Sequence, residues 1–113
     1  MKAGDLIRVD FGIPRGSEPG FVRPAVVVTA SLVLEERPRT LHVVPVTSNT
    51  ERNLPTDVPV EAPPLDRSSV AQCHLCSVIS TDRIDEALEA NVGSLALAQI
   101  RTVLGDLLDL PTG

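Results

Sequence analysis

Ser17, Glu18 and Arg23 bring a hydroxyl, a carboxylate and a guanidinium into one short polar stretch, Arg15-Gly16-Ser17-Glu18-Pro19-Gly20-Phe21-Val22-Arg23-Pro24. Two glycines and a proline let this loop bend sharply, and it runs straight into the apolar Ala25-Val26-Val27-Val28, so a functional loop is anchored to a buried strand. Pro24 has no amide hydrogen and biases Arg23 towards extended geometry, which stands the arginine at the lip of that strand, facing a cleft. The mixture suits phosphate handling; a solvated hairpin loop is the plain alternative. Thr47-Ser48-Asn49 closes a second apolar run. If the strand begun by Arg23 and the strand ended by Thr47 are antiparallel neighbours, both groups lie at one end of the sheet. A guanidinium fork and a hydroxyl converging there could hold a phosphodiester and stabilise a five-coordinate phosphorus without a metal. The bland reading of Thr47 is a strand-end hydroxyl that caps a turn.

Other chemistries find less support. Structural zinc needs four Cys or His ligands, and beyond Cys73-His74-Leu75-Cys76 only His42 remains. On a regular strand Cys73 and Cys76 would point to opposite faces, as would Cys73 and His74, which disfavours both chelation and a cysteine nucleophile with its base. We read both thiols as reduced, small apolar fillers, with no disulfide in a cytoplasmic protein. The carboxylates after residue 82 are spaced like a solvated surface rather than a two-metal site, and no glycine-rich nucleotide fingerprint occurs. No metal or other cofactor is expected.

These groups must be held by a mainly β scaffold. Asp5 to Phe11 alternates, with Ile7, Val9 and Phe11 on one side and Arg8 and Asp10 on the other, as in a half-buried strand. Pro24 to Ala30 is nearly all apolar and predicts a central strand covered on both faces. Ser31 to Glu36 predicts a single helical turn, ended by Arg37-Pro38-Arg39. Leu41 to Thr47 predicts a third strand, with Pro45 implying an edge or a bulge. Ser48 to Pro55 reads as a turn, Asp57 to Val60 as a short strand, and Ala62 to Arg67 as an irregular proline-rich connection. Ser69 to Ile79 predicts a fifth strand containing a bulge, and Thr81 to Ala90 either a short helix capped by Thr81 or a loop with a weak strand. Leu97, Ile100, Leu104, Leu107 and Leu108 recur at helical spacing behind a cap at Gly93 or Ser94, through to Leu110 before Pro111. Several short strands with one amphipathic helix laid over them give a small, strongly bent sheet or open barrel.

A chain of 113 residues is expected to form one domain whose modest core favours pairing with a second copy. No apolar run approaches a membrane span, and the opening Met1-Lys2-Ala3-Gly4-Asp5 leads into a strand pattern without a signal-peptide core, so a cytoplasmic location is expected. The net charge of -5 runs against nucleic acid binding, but the acidity is uneven: residues 1 to 52 carry a net +1 and the remainder -6. With Phe11 and Phe21 as the only aromatic side chains, a base-stacking sheet is excluded. Any RNA contact falls to arginine, hydroxyls and backbone.

Gly4-Asp5-Leu6-Ile7 with Val9-Asp10, Arg15-Gly16-Ser17-Glu18, Arg23-Pro24-Ala25-Val26-Val27 and Val44-Pro45-Val46-Thr47-Ser48-Asn49, in this order and spacing, resemble the MazF/PemK family of toxins, sequence-selective endoribonucleases of type II toxin-antitoxin systems. The resemblance covers nearly the whole chain. It implies an SH3-like barrel of about five to seven strands with a C-terminal helix. It also implies a homodimer with single-stranded RNA near the dimer interface, the first loop folding over the RNA, and a cognate antitoxin as partner. By the same resemblance Arg23 and Thr47 match the catalytic pair and Glu18 the loop glutamate that organises the site. Arg15, Gly16, Ser17, Phe21, Ser48 and Asn49 are the expected RNA contacts. The family often has a glutamine followed by a basic residue in its fifth strand, where Leu75, Cys76 and Ser77 are read here, and an aromatic residue where Arg8 stands. Two rival readings follow: a gyrase poison resembling CcdB, which shares the barrel but binds protein, and an inactive member that retains antitoxin binding. The Arg23 and Thr47 pair favours the nuclease.

Overall fold

The computed structural model describes residues 1–49, 53–65 and 68–111. Seven strands, β1 (Asp5–Asp10), β2 (Val22–Val27), β3 (Thr40–Thr47), β4 (Asp57–Pro59), β5 (Val70–Gln72), β6 (Ser77–Ser80) and β7 (Ile84–Asn91), form one antiparallel sheet. Two helices accompany it, the single turn α1 (Ser31–Leu34) and the C-terminal α2 (Ser94–Leu107). The spatial order is β4-β5-β3-β2-β1-β7, with β6 also pairing with β3.

Alternation along the strands sends side chains into two cores. Leu6, Val26, Val44 and Val46 meet Ile100 of α2 on one face, while Ile7, Val9, Ala25, Val27 and Val43 pack with Leu41, Leu34 and Ile79 on the other. Because β2 is covered on both faces and flanked by β1 and β3, its sequence can be continuously apolar. The expected alternation of β1 holds, with Arg8 turned outward to Glu86 of β7 at 2.8 Å.

Three expectations change, and over Thr81 to Ala90 the alternative with a strand is the one found. Pro45 lies within β3, the most connected strand, opposite Ala25 of β2. It is tolerated there because the other edge of β3 passes from β6, paired with Thr40–Val43, to β5, paired with Val46 and Thr47, leaving Pro45 between the two ladders. For the same reason the single bulged strand expected over Ser69 to Ile79 is two strands, β5 and β6, separated by a 3-10 turn at Cys73–Leu75. Thr81 to Ala90 is a 3-10 turn at Thr81–Arg83, capped by the Ser80 hydroxyl, followed by the eight-residue β7. Pairing with β1 imposes this strand on a sequence with little strand propensity. Finally, α2 ends before Leu110 rather than at Pro111. Asp109 takes a left-handed φ of 54°, its N–H donates to the Asp106 carbonyl, and the Leu110 N–H donates to the Gly105 carbonyl at 2.8 Å. That paired pattern terminates a helix without any proline. Residues 50 to 52 of the expected polar turn, and Asp66 and Arg67 of the proline-rich connection, lie outside the described residues.

Candidate active site

The register of β2 and β3 aligns Ala25 with Pro45 and Val26 with Val44; continued to the strand ends, it sets Arg23 against Thr47. Both side chains are half-buried and line one cavity of about 270 Å³. Pro24, Val46 and Ser48 share that end of the sheet, and Pro64, Leu65 and the nearly buried Ser69 form the rest of the lining. The Arg23 guanidinium donates through Nη1 to Gln72 Oε1 at 3.4 Å, so the last residue of β5 touches it from the side. Thr47 Oγ1 accepts from the Asn49 N–H at 3.1 Å. The turn-capping reading of Thr47 is therefore correct, and it is compatible with the cavity: the same bond fixes the hydroxyl's position and still leaves its own proton and a second lone pair.

The remaining expected residues are dispersed. Ser48 lines the cavity, and the exposed Asn49 follows it. Arg15, Gly16 and Ser17 are exposed at the tip of the loop, where Gly16 adopts a left-handed φ of 58°. Glu18 is not brought to Arg23. Its Oε1 accepts from the Arg15 N–H at 3.0 Å, and its own N–H donates to the Arg15 carbonyl at 3.2 Å, so this carboxylate closes the loop on itself. It lines a separate recess with Phe11, Ile13, Val78 and Arg83. Phe21 is 66% exposed with φ of 60°, a backbone state that strains a bulky residue by about 1–3 kcal/mol. Two hydrogen bonds hold it there: its N–H donates to the Gly12 carbonyl at 2.7 Å and its carbonyl accepts from the Phe11 N–H at 2.9 Å.

The loop is also locked sterically. A Cβ on Gly20 would lie 2.4 Å from Pro14 Cδ and 2.5 Å from its Cγ. A pyrrolidine ring cannot rotate aside as a flexible side chain can, so the backbone must move. Gly20→Ala is expected to destabilise the fold by about 1–3 kcal/mol, read as a lower urea midpoint. An unchanged midpoint would mean that the loop is not packed on Pro14.

Gln72 and Ser69 were not singled out from the sequence. Leu75, Cys76 and Ser77, where the departure from the family pattern is expected, lie beyond β5, in the 3-10 turn, just after it and at the start of β6. The strand that reaches the Thr47 end of β3 carries a glutamine, Gln72, with His74 two residues on. A polar residue directly after the buried Val70-Ala71 was the available signal.

Next to Gln72, burial pushes the Cys73 thiol from 9.0 up to about 11, with the charges of Cys76 and Asp57 adding to the rise. The folded chain thus keeps a proton that the unfolded chain gives up, and stability must fall as pH climbs from 9.0 towards 11. Urea midpoints across that window are expected to decline in the wild type and to decline less in Cys73→Ala. Parallel curves would contradict the burial effect.

Solved structures share this fold. MazF from Deinococcus radiodurans is 26% identical with a TM-score of 0.81, the alignment covering 97% of each chain. The MazE-MazF complex of the same organism gives 25% identity and a TM-score of 0.73 over 98% of this chain and 97% of that one. An endoribonuclease in complex with its cognate antitoxin from mycobacterial species matches in fold, with 20% identity and a TM-score of 0.76 over 100% of this chain and 99% of that one. The family model of the PemK-like, MazF-like toxin of type II toxin-antitoxin systems matches residues 2–109. With that match spanning every element from β1 to α2, the chain belongs to the PemK/MazF toxin family.

Proposed function

We propose that this protein is a metal-independent endoribonuclease toxin that cleaves single-stranded RNA in the cytoplasm as a homodimer and is neutralised by a cognate antitoxin. The observation that carries the reading is the shared cavity of Arg23 and Thr47, two residues far apart in sequence at one end of adjacent antiparallel strands. Family membership supports it, as do the mycobacterial endoribonuclease with its cognate antitoxin and the Deinococcus MazE-MazF complex among the relatives. The ribose 2′-oxygen attacks the adjacent phosphorus as the bond to the 5′-oxygen breaks, leaving a 2′,3′-cyclic phosphate and a 5′-hydroxyl. The nucleophile belongs to the substrate, so no metal-activated water is needed. The Arg23 guanidinium, which has donors and no acceptor, supplies its fork of N–H groups to the charge that builds on the phosphoryl oxygens. Thr47 orients the phosphate, and Gln72 steadies the guanidinium. Glu18 shapes the first loop, whose tip carries Arg15, Gly16 and Ser17 towards the RNA. Phe21, Ser48 and Asn49 complete the contacts.

Incubation of single-stranded RNA with the purified protein in EDTA tests this reading: cyclic-phosphate ends are expected with the wild type and intact RNA with Arg23→Ala. Intact RNA with both proteins would overturn it.

A further inference from the structure

The Cys73-His74-Leu75-Cys76 segment is a hydrogen-bonded 3-10 turn in which the Cys76 N–H donates to the Cys73 carbonyl at 3.1 Å. In such a turn side chains three apart eclipse one another, and the two Cα atoms lie within about 7 Å, the range that a disulfide spans. Cys73 and Cys76 also line one recess of about 800 Å³, beside His42 and His74. Cys73 is 1% exposed, whereas Cys76 is half-buried and offers the way in. Asp57 lies opposite Gln72 in the β4–β5 ladder, and its buried Oδ1 has no hydrogen-bond partner among the described residues.

We propose that Cys73 and Cys76 form a reversible intramolecular disulfide that switches the Arg23 site through Gln72. The oxidant is a small-molecule disulfide. The Cys76 thiolate attacks one of its sulfurs, forming a mixed disulfide and expelling a thiolate. Cys73 then gives its proton to the thiolate expelled in the first step and attacks the Cys76 sulfur, expelling the second thiolate. Two protein thiols are oxidised and one external disulfide is reduced to two thiols. Oxidation removes the Cys73 S–H that donates to the Ala71 carbonyl at 3.9 Å, and the sulfur is free to move towards Cys76. Gln72 joins Ala71 to Cys73, so this movement passes directly to the side chain that accepts from Arg23. At 3.4 Å that hydrogen bond is already long, and a small shift breaks it. Cytoplasmic disulfides of this transient kind serve redox sensing rather than structure. The consequence for cleavage rests on the endoribonuclease reading; the disulfide does not.

The test treats the reduced full-length protein with oxidised glutathione and follows free thiols, intact mass and the Arg23 Nε–H resonance. Both thiols are expected to disappear, with a mass lower by two hydrogens, no retained glutathione, a displaced Arg23 resonance and full reversal by dithiothreitol. RNA cleavage should fall about tenfold on oxidation and recover on reduction. Cys73→Ser should instead retain glutathione on Cys76, and Cys76→Ser should keep its activity under oxidant. Thiols that stay free, a wild-type adduct that Cys73 never resolves, or chains linked to one another would overturn the disulfide. An intramolecular disulfide with an unmoved Arg23 resonance would overturn the switch. RNA left intact by the reduced wild type would count against the ribonuclease reading, while thiols, mass and resonance would still decide this one.

Discussion

Arg23→Ala is expected to lower the rate of RNA cleavage by at least about 100-fold, the usual cost of removing one preorganised donor from developing negative charge. Stability should barely move. Arg23 is half-buried at the start of β2, its one described side-chain hydrogen bond is 3.4 Å long, and the apolar anchors of the strand are Ala25, Val26 and Val27. A change within about 1 kcal/mol in urea unfolding is expected. Arg23→Lys separates charge from geometry. An ammonium keeps the positive charge but cannot present two parallel N–H groups to a phosphate or hold the same line to Gln72. Its activity should fall between those of the wild type and Arg23→Ala. Full activity in Arg23→Lys would mean that charge alone suffices and that the fork has no role. A large loss of stability in Arg23→Ala would instead make the arginine a structural residue.

The parts of this fold that depend on short-range pattern could be read directly. The alternation of β1 and the apolar run of β2 record which faces are covered, and Leu97, Ile100 and Leu104 record the face of α2 that meets the sheet. What escaped was whatever depends on a distant partner. Pro45 suggests an edge until one knows that β3 exchanges β6 for β5 beside it. Ile84 to Asn91, with Asp85, Glu86 and Glu89 exposed, reads as a strand only because β1 lies alongside. The end of α2 is the exception, because it is local: the left-handed backbone of Asp109 stops the helix before the Pro111 that the sequence offers.

The candidate site follows the same division. Antiparallel pairing of the strands that begin at Arg23 and end at Thr47 was enough to place both at one rim, and they share a cavity. Proximity in sequence misled for Glu18, which sits five residues before Arg23 but bends back onto Arg15. Gln72, 49 residues away from Arg23, is the one that touches it. Loop chemistry shows which groups are available; strand register decides which of them meet.

The largest loss of stability is expected at Ile100→Ala. Ile100 is the only fully buried residue of α2. It belongs to the core of Leu6, Val26, Val44, Val58, Ala71 and Cys73, which draws on β1 to β5, and it anchors the helix to that face of the sheet. Truncation removes apolar contact on every side and leaves a cavity that rigid strand backbones cannot close, at about 2–5 kcal/mol. Against the roughly 5–15 kcal/mol available to a domain of this kind, the loss is severe. Thermal unfolding should show it as a lower melting temperature, whereas Leu95→Ala, on the same helix but 74% exposed, should change little. Helix propensity cannot produce the difference, since both variants introduce the best helix former and Ile gains more from that change than Leu. If Ile100→Ala and Leu95→Ala melt together, α2 is not held to the sheet by this core. The wall that Leu104 and Leu107 give to the cysteine recess would then lose its anchor as well.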